Sequence, residues 1–183
     1  MIRILDNFLD KDFNKKTYDL LTGNKFNWHV CKEMVHGDNN NWFFYHTGIE
    51  KGEVATSDFI YRKVFLPIMN KIQYCRFLPS KYKLMQPKER CHRAKINYYP
   101  LNEKFKKSMW HRDFDYEHMV AIYYINNNNG YTELKDKGKI ESVANRLVLF
   151  SGDIEHRAIG HTDTNARLNV NLNYIIGKEI WTN

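Results

Sequence analysis

The sequence predicts a mainly β fold, a sandwich or barrel with flanking helices, on three observations. From Arg93 onward, short runs rich in Val, Ile, Leu and Tyr recur at close intervals. Turn pairs such as Asn129-Gly130, Lys137-Gly138 and Gly152-Asp153 separate them, and helical spacing is confined to the region before Arg93. At 183 residues the chain is one domain by length, enough to hide roughly 70% of its unfolded surface without a covalent staple. The expected division is helical support and a flap over 1–92 and a β core over 93–176.

Taken in order, the first helix follows Asp10 or Asp12 as N-cap, carries Phe13, Leu20 and Leu21, and stops at Gly23. A longer helix starts at Ser57 or Asp58, with Tyr61, Val64, Phe65, Ile68 and Ile72 at helical spacing and Pro67 kinking or splitting it. Between the helices, His36-Gly37-Asp38-Asn39-Asn40-Asn41 is turn chemistry, and Trp42-Phe43-Phe44-Tyr45 reads as a hairpin or flap. Strands are expected over Arg93 to Tyr99, His118 to Asn126, Tyr131 to Leu134, Lys139 to Val143, Arg146 to Phe150, His156 to Ile159 and Arg167 to Tyr174. The run Asn126 to Asn129 before Gly130 is a hairpin turn rather than a linker, because Asn tolerates left-handed φ.

Composition narrows the function classes. Cys31, Cys75 and Cys91 cannot all pair and show no CxxC spacing, which suits a reduced, cytoplasmic protein. The N-terminus lacks a long apolar segment and the run Met119 to Ile125 is too short to span a bilayer, so no membrane association is expected. Lys plus Arg exceed Asp plus Glu by 28 − 21 = 7, an excess that favours a polyanion or an acidic peptide as partner. The dense cluster Lys104-Phe105-Lys106-Lys107 is either a solvated loop or a basic lid.

Three His-x-Asp pairs occur among eight His and eleven Asp, where random placement gives about half a match, so context has to choose. His36/Asp38 sits in a Gly/Asn-rich loop, and His161/Asp163 lies in a strand connection with no His after it. His111 and Asp113 differ: two apart on extended backbone, they point to one face and can converge on one ion. His156, after the Gly152-Asp153 turn, can supply a third ligand from the facing sheet. Two histidines and a carboxylate hold Fe(II) on one face and leave positions open for an oxidant. The competing reading makes His111 and His156 unrelated hydrogen-bonded histidines.

Arg167 leads a strand in which Asn169, Asn171 and Asn173 share its face. Either that face is wet, or it lines a pocket in which the guanidinium grips a carboxylate as a bidentate fork. Asn97 and Tyr99 share a face of the Arg93 strand, and Tyr124 shares one with Ile122; the phenols either pack in a core or donate to a buried carboxylate.

These residues occur in a known order. Tyr99-Pro100, His111-x-Asp113, Ile122-Tyr123-Tyr124-Ile125-Asn126, His156 and Arg167 resemble the 2-oxoglutarate and Fe(II)-dependent oxygenases, with the spacing of their prolyl 4-hydroxylase-like branch, over about Arg93 to Tyr174. Gly130-Tyr131-Thr132 and Glu141 through Phe150 are similar to short stand-alone members encoded by bacteriophages, which would place the protein in the cytoplasm of an infected host cell. The resemblance implies a double-stranded β-helix, a cupin-like jelly roll with helices braced on the larger sheet. It implies iron on His111, Asp113 and His156, and 2-oxoglutarate on Arg167 helped by Tyr124, Tyr99, Asn97 and Asn169, with O2 as oxidant and ascorbate as an auxiliary reductant.

The implied activity is hydroxylation of a C–H bond, foremost on a peptide or protein side chain such as proline, with release of succinate and CO2. Alternatives are a nucleic-acid-modifying oxygenase of the same superfamily and a non-catalytic jelly-roll module that binds metal or ligand. The alkylated-base demethylases carry a second Arg four residues after the Asn of the Arg-x-Asn strand; here Asn173 stands there, which counts against nucleobase demethylation.

Overall fold

The computed structural model describes residues 2–33, 42–74 and 91–175; the His36/Asp38 turn and Cys75 lie outside the described residues. Among the described residues, eleven antiparallel strands form two sheets: β1 (Ile2–Leu5), β2 (His29–Cys31), β3 (Phe43–Glu50), β4 (Glu53–Val54), β5 (Cys91–Pro100), β6 (His118–Tyr124), β7 (Tyr131–Leu134), β8 (Gly138–Glu141), β9 (Arg146–Ser151), β10 (His156–Ile159) and β11 (Ala166–Ile175). The larger sheet runs β1-β9-β6-β11-β5-β3-β2, with β4 paired to β3, and the smaller runs β10-β7-β8. This is the jelly roll the resemblance implies. All seven strands expected beyond Arg93 form, with ends displaced by at most two residues.

Strand alternation builds two cores. On β6, Met119, Ala121 and Tyr123 face the helices, together with Leu147, Leu149, Val170 and Leu172 of β9 and β11. Val120, Ile122 and Tyr124 face inward, against Leu134, Ile140, Val148 and Phe150 of both sheets. Every β6 residue is therefore buried, each large apolar side chain contributing about 1.5–3 kcal/mol.

The first helix, α1 (Lys11–Thr22), is capped by the Asp10 side chain accepting from Asp12 N–H and stops at Gly23, as its sequence predicts. Asn145, at φ 62°, fastens the chain entering it to the sheet: its side-chain amide exchanges hydrogen bonds with the Leu9 backbone at 2.8 and 2.6 Å. The second helix is split as Pro67 requires, into α2 (Asp58–Ile60), a π turn (Tyr61–Phe65) and α3 (Leu66–Tyr74). Proline offers no N–H and its ring would strike the carbonyl a turn earlier, so the chain widens there and Leu66 N–H reaches back to Tyr61 O.

The N-terminal region departs from expectation in part. The Trp42 to Tyr45 stretch enters β3, which pairs antiparallel with β2 (Cys31 opposite Phe43, His29 opposite Tyr45) as the expected hairpin and also joins the larger sheet beside β5. Its β-branched and aromatic residues suit a pleated surface. β1 also adds to the same sheet, paired with β9 from Ile2 to Leu5. No helix among the described residues is long and apolar enough to cross a membrane. Cys31 and Cys91 are free, and burial pushes the Cys91 thiol up to about 12.

Candidate metal centre and its two compartments

His111 and His156 come together because their backbones form an isolated antiparallel bridge, N–H to carbonyl at 3.1 and 2.9 Å, joining the segment before β6 to the start of β10. With Asp113 they place one ligand atom each within 4.8 Å of one another. Each imidazole has Nδ1 on a backbone carbonyl, His111 on Met109 at 3.1 Å and His156 on Ile154 at 3.3 Å. Nδ1 therefore carries the proton in the neutral ring and Nε2 is left as a lone-pair donor.

Burial and a neighbouring ring hold His156 neutral: desolvation lowers it to about 4 despite the pull of Asp113. Burial alone would raise the Asp113 carboxyl, but Arg93, His156, Asn173 and His111 hold it down at about 2. Arg93 Nη2 donates to Asp113 Oδ1 at 2.6 Å and Asn173 Nδ2 to Oδ2 at 2.8 Å, while His156 Nε2 stands 3.8 Å from Oδ2. Two imidazole Nε2 atoms and an ionised carboxylate fit a divalent transition metal.

A second cluster lies along the same strands. β11 registers Arg167, Asn169, Asn171 and Asn173 opposite Tyr99, Asn97, Lys95 and Arg93 of β5, so all eight share the inner face. Arg167 is 1% exposed. Its Nε donates to Ser142 Oγ at 2.9 Å and its Nη2 to Thr132 Oγ1 at 3.2 Å, with Tyr99 at 5.0 Å and Tyr124 at 5.9 Å beneath the guanidinium. Its Nη1 is buried without a hydrogen-bond partner among the described residues, and no carboxylate there pairs with it.

A small cavity of about 50 Å³ connects these clusters, bounded by His111 and His156 at one end and Arg167 and Thr132 at the other, with Asn97, Tyr99 and Asn169 along it. A wider one of about 260 Å³ opens on the other side of His111 and Asp113, past Phe43, Arg93, Lys95 and Arg112.

The other expected parts fall as follows. Asn97 donates to Asn169 at 3.1 Å within the inner row. The Tyr124 hydroxyl is committed to Thr132 Oγ1 at 2.8 Å, so it braces the Arg167 pocket from below instead of donating into the cavity. His161 is buried with Nε2 on Thr164 O at 2.9 Å, and Asp163 accepts from Asn129 N–H at 2.9 Å, the turn their sequence predicts. Backbone bonds tie the basic segment after Lys104 to β10, Gly160 N–H to Lys106 O at 2.7 Å and Ser108 N–H to Ala158 O at 2.9 Å; it is a bordering strand-like segment, not an overhanging lid.

Sequence reasoning missed Arg93, Thr132 and Ser142. Arg93 had a signal, since it alternates with Asn97 and Tyr99 on the face already singled out. Thr132 and Ser142 had none, because a lone hydroxyl on a strand is unremarkable until an Arg lies over it. Asn173, noted for sharing the Arg167 face and for not being Arg, is a donor to Asp113.

No family model matches the sequence, and no curated protein matches it. Solved structures do. A 2OG-Fe(II) oxygenase family oxidoreductase from Burkholderia pseudomallei superposes with a TM-score of 0.66 at 10% identity, covering 97% of this chain and 86% of its own. A Pseudomonas putida prolyl-4-hydroxylase gives 0.64 at 14% identity, covering 96% and 92%. A Trichoplax adhaerens prolyl hydroxylase, in complex with a hypoxia inducible factor oxygen degradation domain peptide fragment, gives 0.62 at 15%, covering 96% and 83%. Over nearly its whole length, the chain has the jelly-roll fold of the 2OG-Fe(II) oxygenases.

Proposed function

We propose that this protein is an Fe(II)- and 2-oxoglutarate-dependent dioxygenase that hydroxylates a C–H bond on a peptide or protein side chain. The observation that carries the proposal is Arg167: a buried guanidinium without a carboxylate partner among the described residues, separated from a His-Asp-His cluster by one small polar cavity. An unpaired buried cation is costly and is retained where an anionic ligand completes it. A dicarboxylate whose far end meets Arg167 and whose near end reaches the metal fits that need.

Metal, 2-oxoglutarate and O2 together supply oxidative decarboxylation to succinate and CO2, with one oxygen atom delivered to the substrate. The chain's own residues hold and orient. His111, Asp113 and His156 bind the metal on one face, and Arg93 and Asn173 fix the carboxylate. Thr132 and Ser142 aim the guanidinium of Arg167. The peptide assignment is supported by the prolyl hydroxylases among the structural neighbours, one of which holds a peptide. Asn173, spent on Asp113, counts against the nucleobase alternative.

Incubating the protein with Fe(II), 2-oxoglutarate, ascorbate and a library of proline-containing peptides tests this. Peptide-stimulated succinate release with the gain of one oxygen atom by a peptide is expected. Stimulation by single-stranded oligonucleotides alone would move the substrate to nucleic acid, and that binding would show a steep salt dependence.

A further inference from the structure

The wider cavity carries more positive charge than the metal centre uses. Arg93, Lys95 and Arg112 line it against a single carboxylate, Asp113, an excess of 3 − 1 = 2. Arg93 is spent on Asp113. Lys95 and Arg112 form no ion pair among the described residues. Loading the site does not remove the excess, since a divalent metal and a dicarboxylate cancel.

Lys95 is the better placed of the two. It is half-buried between Thr47 of β3 and Asn171 of β11, and its Nζ lies 5.2 Å from the Tyr45 ring centroid. Burial lowers its pKa, with Arg93 adding to the effect, so the ammonium is held short of the solvation it would have outside. Across the strand pair, Asn171 Oδ1 is buried without a hydrogen-bond partner among the described residues. Lys95 and Asn171, opposite one another in register, both line the cavity that opens at Asp113, which Asn171 Nδ2 approaches at 3.5 Å; among the described residues the first has no ion pair and the oxygen of the second no donor.

We infer that the substrate is an acidic peptide, whose side-chain carboxylate pairs with Lys95 and whose backbone N–H is accepted by Asn171, next to the residue that is hydroxylated. A carboxylate and an amide N–H in one segment match the two unsatisfied groups together. Phe43, stacked on Tyr99 at 5.4 Å, supplies an apolar wall for the reacting side chain. Arg112, exposed at the mouth, adds attraction at longer range. The inference rests on the oxygenase reading for the meaning of the cavity, while its chemistry rests on Lys95 and Asn171.

The test is calorimetric binding to protein loaded with Zn(II) and 2-oxoglutarate, which does not turn over. The probes are acetylated Glu-Pro and Pro-Glu peptide amides, their Gln counterparts, free L-proline and thymidine monophosphate. A Glu peptide is expected to bind about tenfold more tightly than its Gln counterpart, the effect of one charge-assisted hydrogen bond. Lys95→Met should erase that difference and Lys95→Arg should keep it, both with unaltered metal and 2-oxoglutarate affinity. Equal affinity for Glu and Gln peptides, no binding of either, a preference surviving in Lys95→Met, or tighter binding of free proline or the nucleotide overturns the inference. Failure of metal-loaded protein to take up 2-oxoglutarate leaves a different mark: it removes the oxygenase reading, while the Glu–Gln comparison is still read on the metal-only protein.

Discussion

Arg93 and Arg167 are the two guanidiniums of the inner face, the first half-buried and the second fully buried, and they do opposite things to stability. Arg93 completes Asp113, so Arg93→Gln should strand a buried carboxylate and cost about 3 kcal/mol at neutral pH by urea unfolding. The sign with pH follows from Asp113 lying below its unfolded value: its contribution is full above pH ~4 and is lost as pH falls through about 2. In Arg93→Gln the strongest opponent of burial is gone and the carboxyl titrates higher, so the deficit against the wild type should be largest at pH 7 and shrink on acidification. A deficit independent of pH would mean that the pair is not its source. Metal affinity should fall about 10–100-fold in the same variant, by analogy with other groups that orient a ligand. Arg167, by contrast, lacks its anion, so Arg167→Met should leave the ligand-free protein as stable as the wild type or more so, while weakening 2-oxoglutarate and sparing metal. A strongly destabilised Arg167→Met would show that Ser142, Thr132 and the two rings already satisfy the guanidinium.

Among the elements, β3 shows how tightly the helices are seated on the larger sheet. Its pairing with β5 shifts register between Thr47 and Ile49, and a Cβ on Gly48 would meet the Phe65 ring at 2.1 Å. Phe65 is fully buried and cannot swing aside. Gly48→Ala should therefore destabilise by about 1–3 kcal/mol in thermal or urea unfolding, and Gly48→Ala paired with Phe65→Leu should recover part of that. The strands past Arg93 were legible because alternation and turn residues both mark them. β1 was not: four residues with Ile2 and Ile4 half exposed carry too little pattern to be told from a ragged terminus. The aromatic stretch of β3 was legible as one arm of a hairpin, which its pairing with β2 bears out, but nothing local says that its other partner is β5, some fifty residues on.

At the scale of the whole molecule, the candidate metal ligands come from one segment before β6 and from β10 of the other sheet, while the Arg167 row lies on β11, so both clusters exist only when the two sheets close. The four candidate side chains could be picked from the sequence because their order resembles that of the 2-oxoglutarate and Fe(II)-dependent oxygenases; strand geometry alone left His111 and His156 open to being unrelated and the Arg167 face open to being wet. Their supports, Arg93, Thr132 and Ser142, depend on register between strands far apart in the chain, which no local pattern encodes. Ligands binding only the closed form should raise stability by mass action, about 2.7 kcal/mol at a hundredfold excess over Kd. 2-Oxoglutarate should stabilise the protein against heat strongly only when a divalent metal is present, and His161→Ala should leave that shift intact. Equal stabilisation with and without metal would place the dicarboxylate elsewhere.

The most direct test is an anaerobic titration of the purified metal-free protein with Fe(II) and 2-oxoglutarate, followed by visible absorption. A charge-transfer band that saturates at one equivalent of each, and is lost in His156→Ala and Arg167→Ala, is the predicted result. A folded protein that gives no band, or one whose band survives both substitutions, would contradict the assignment of this site to iron and 2-oxoglutarate.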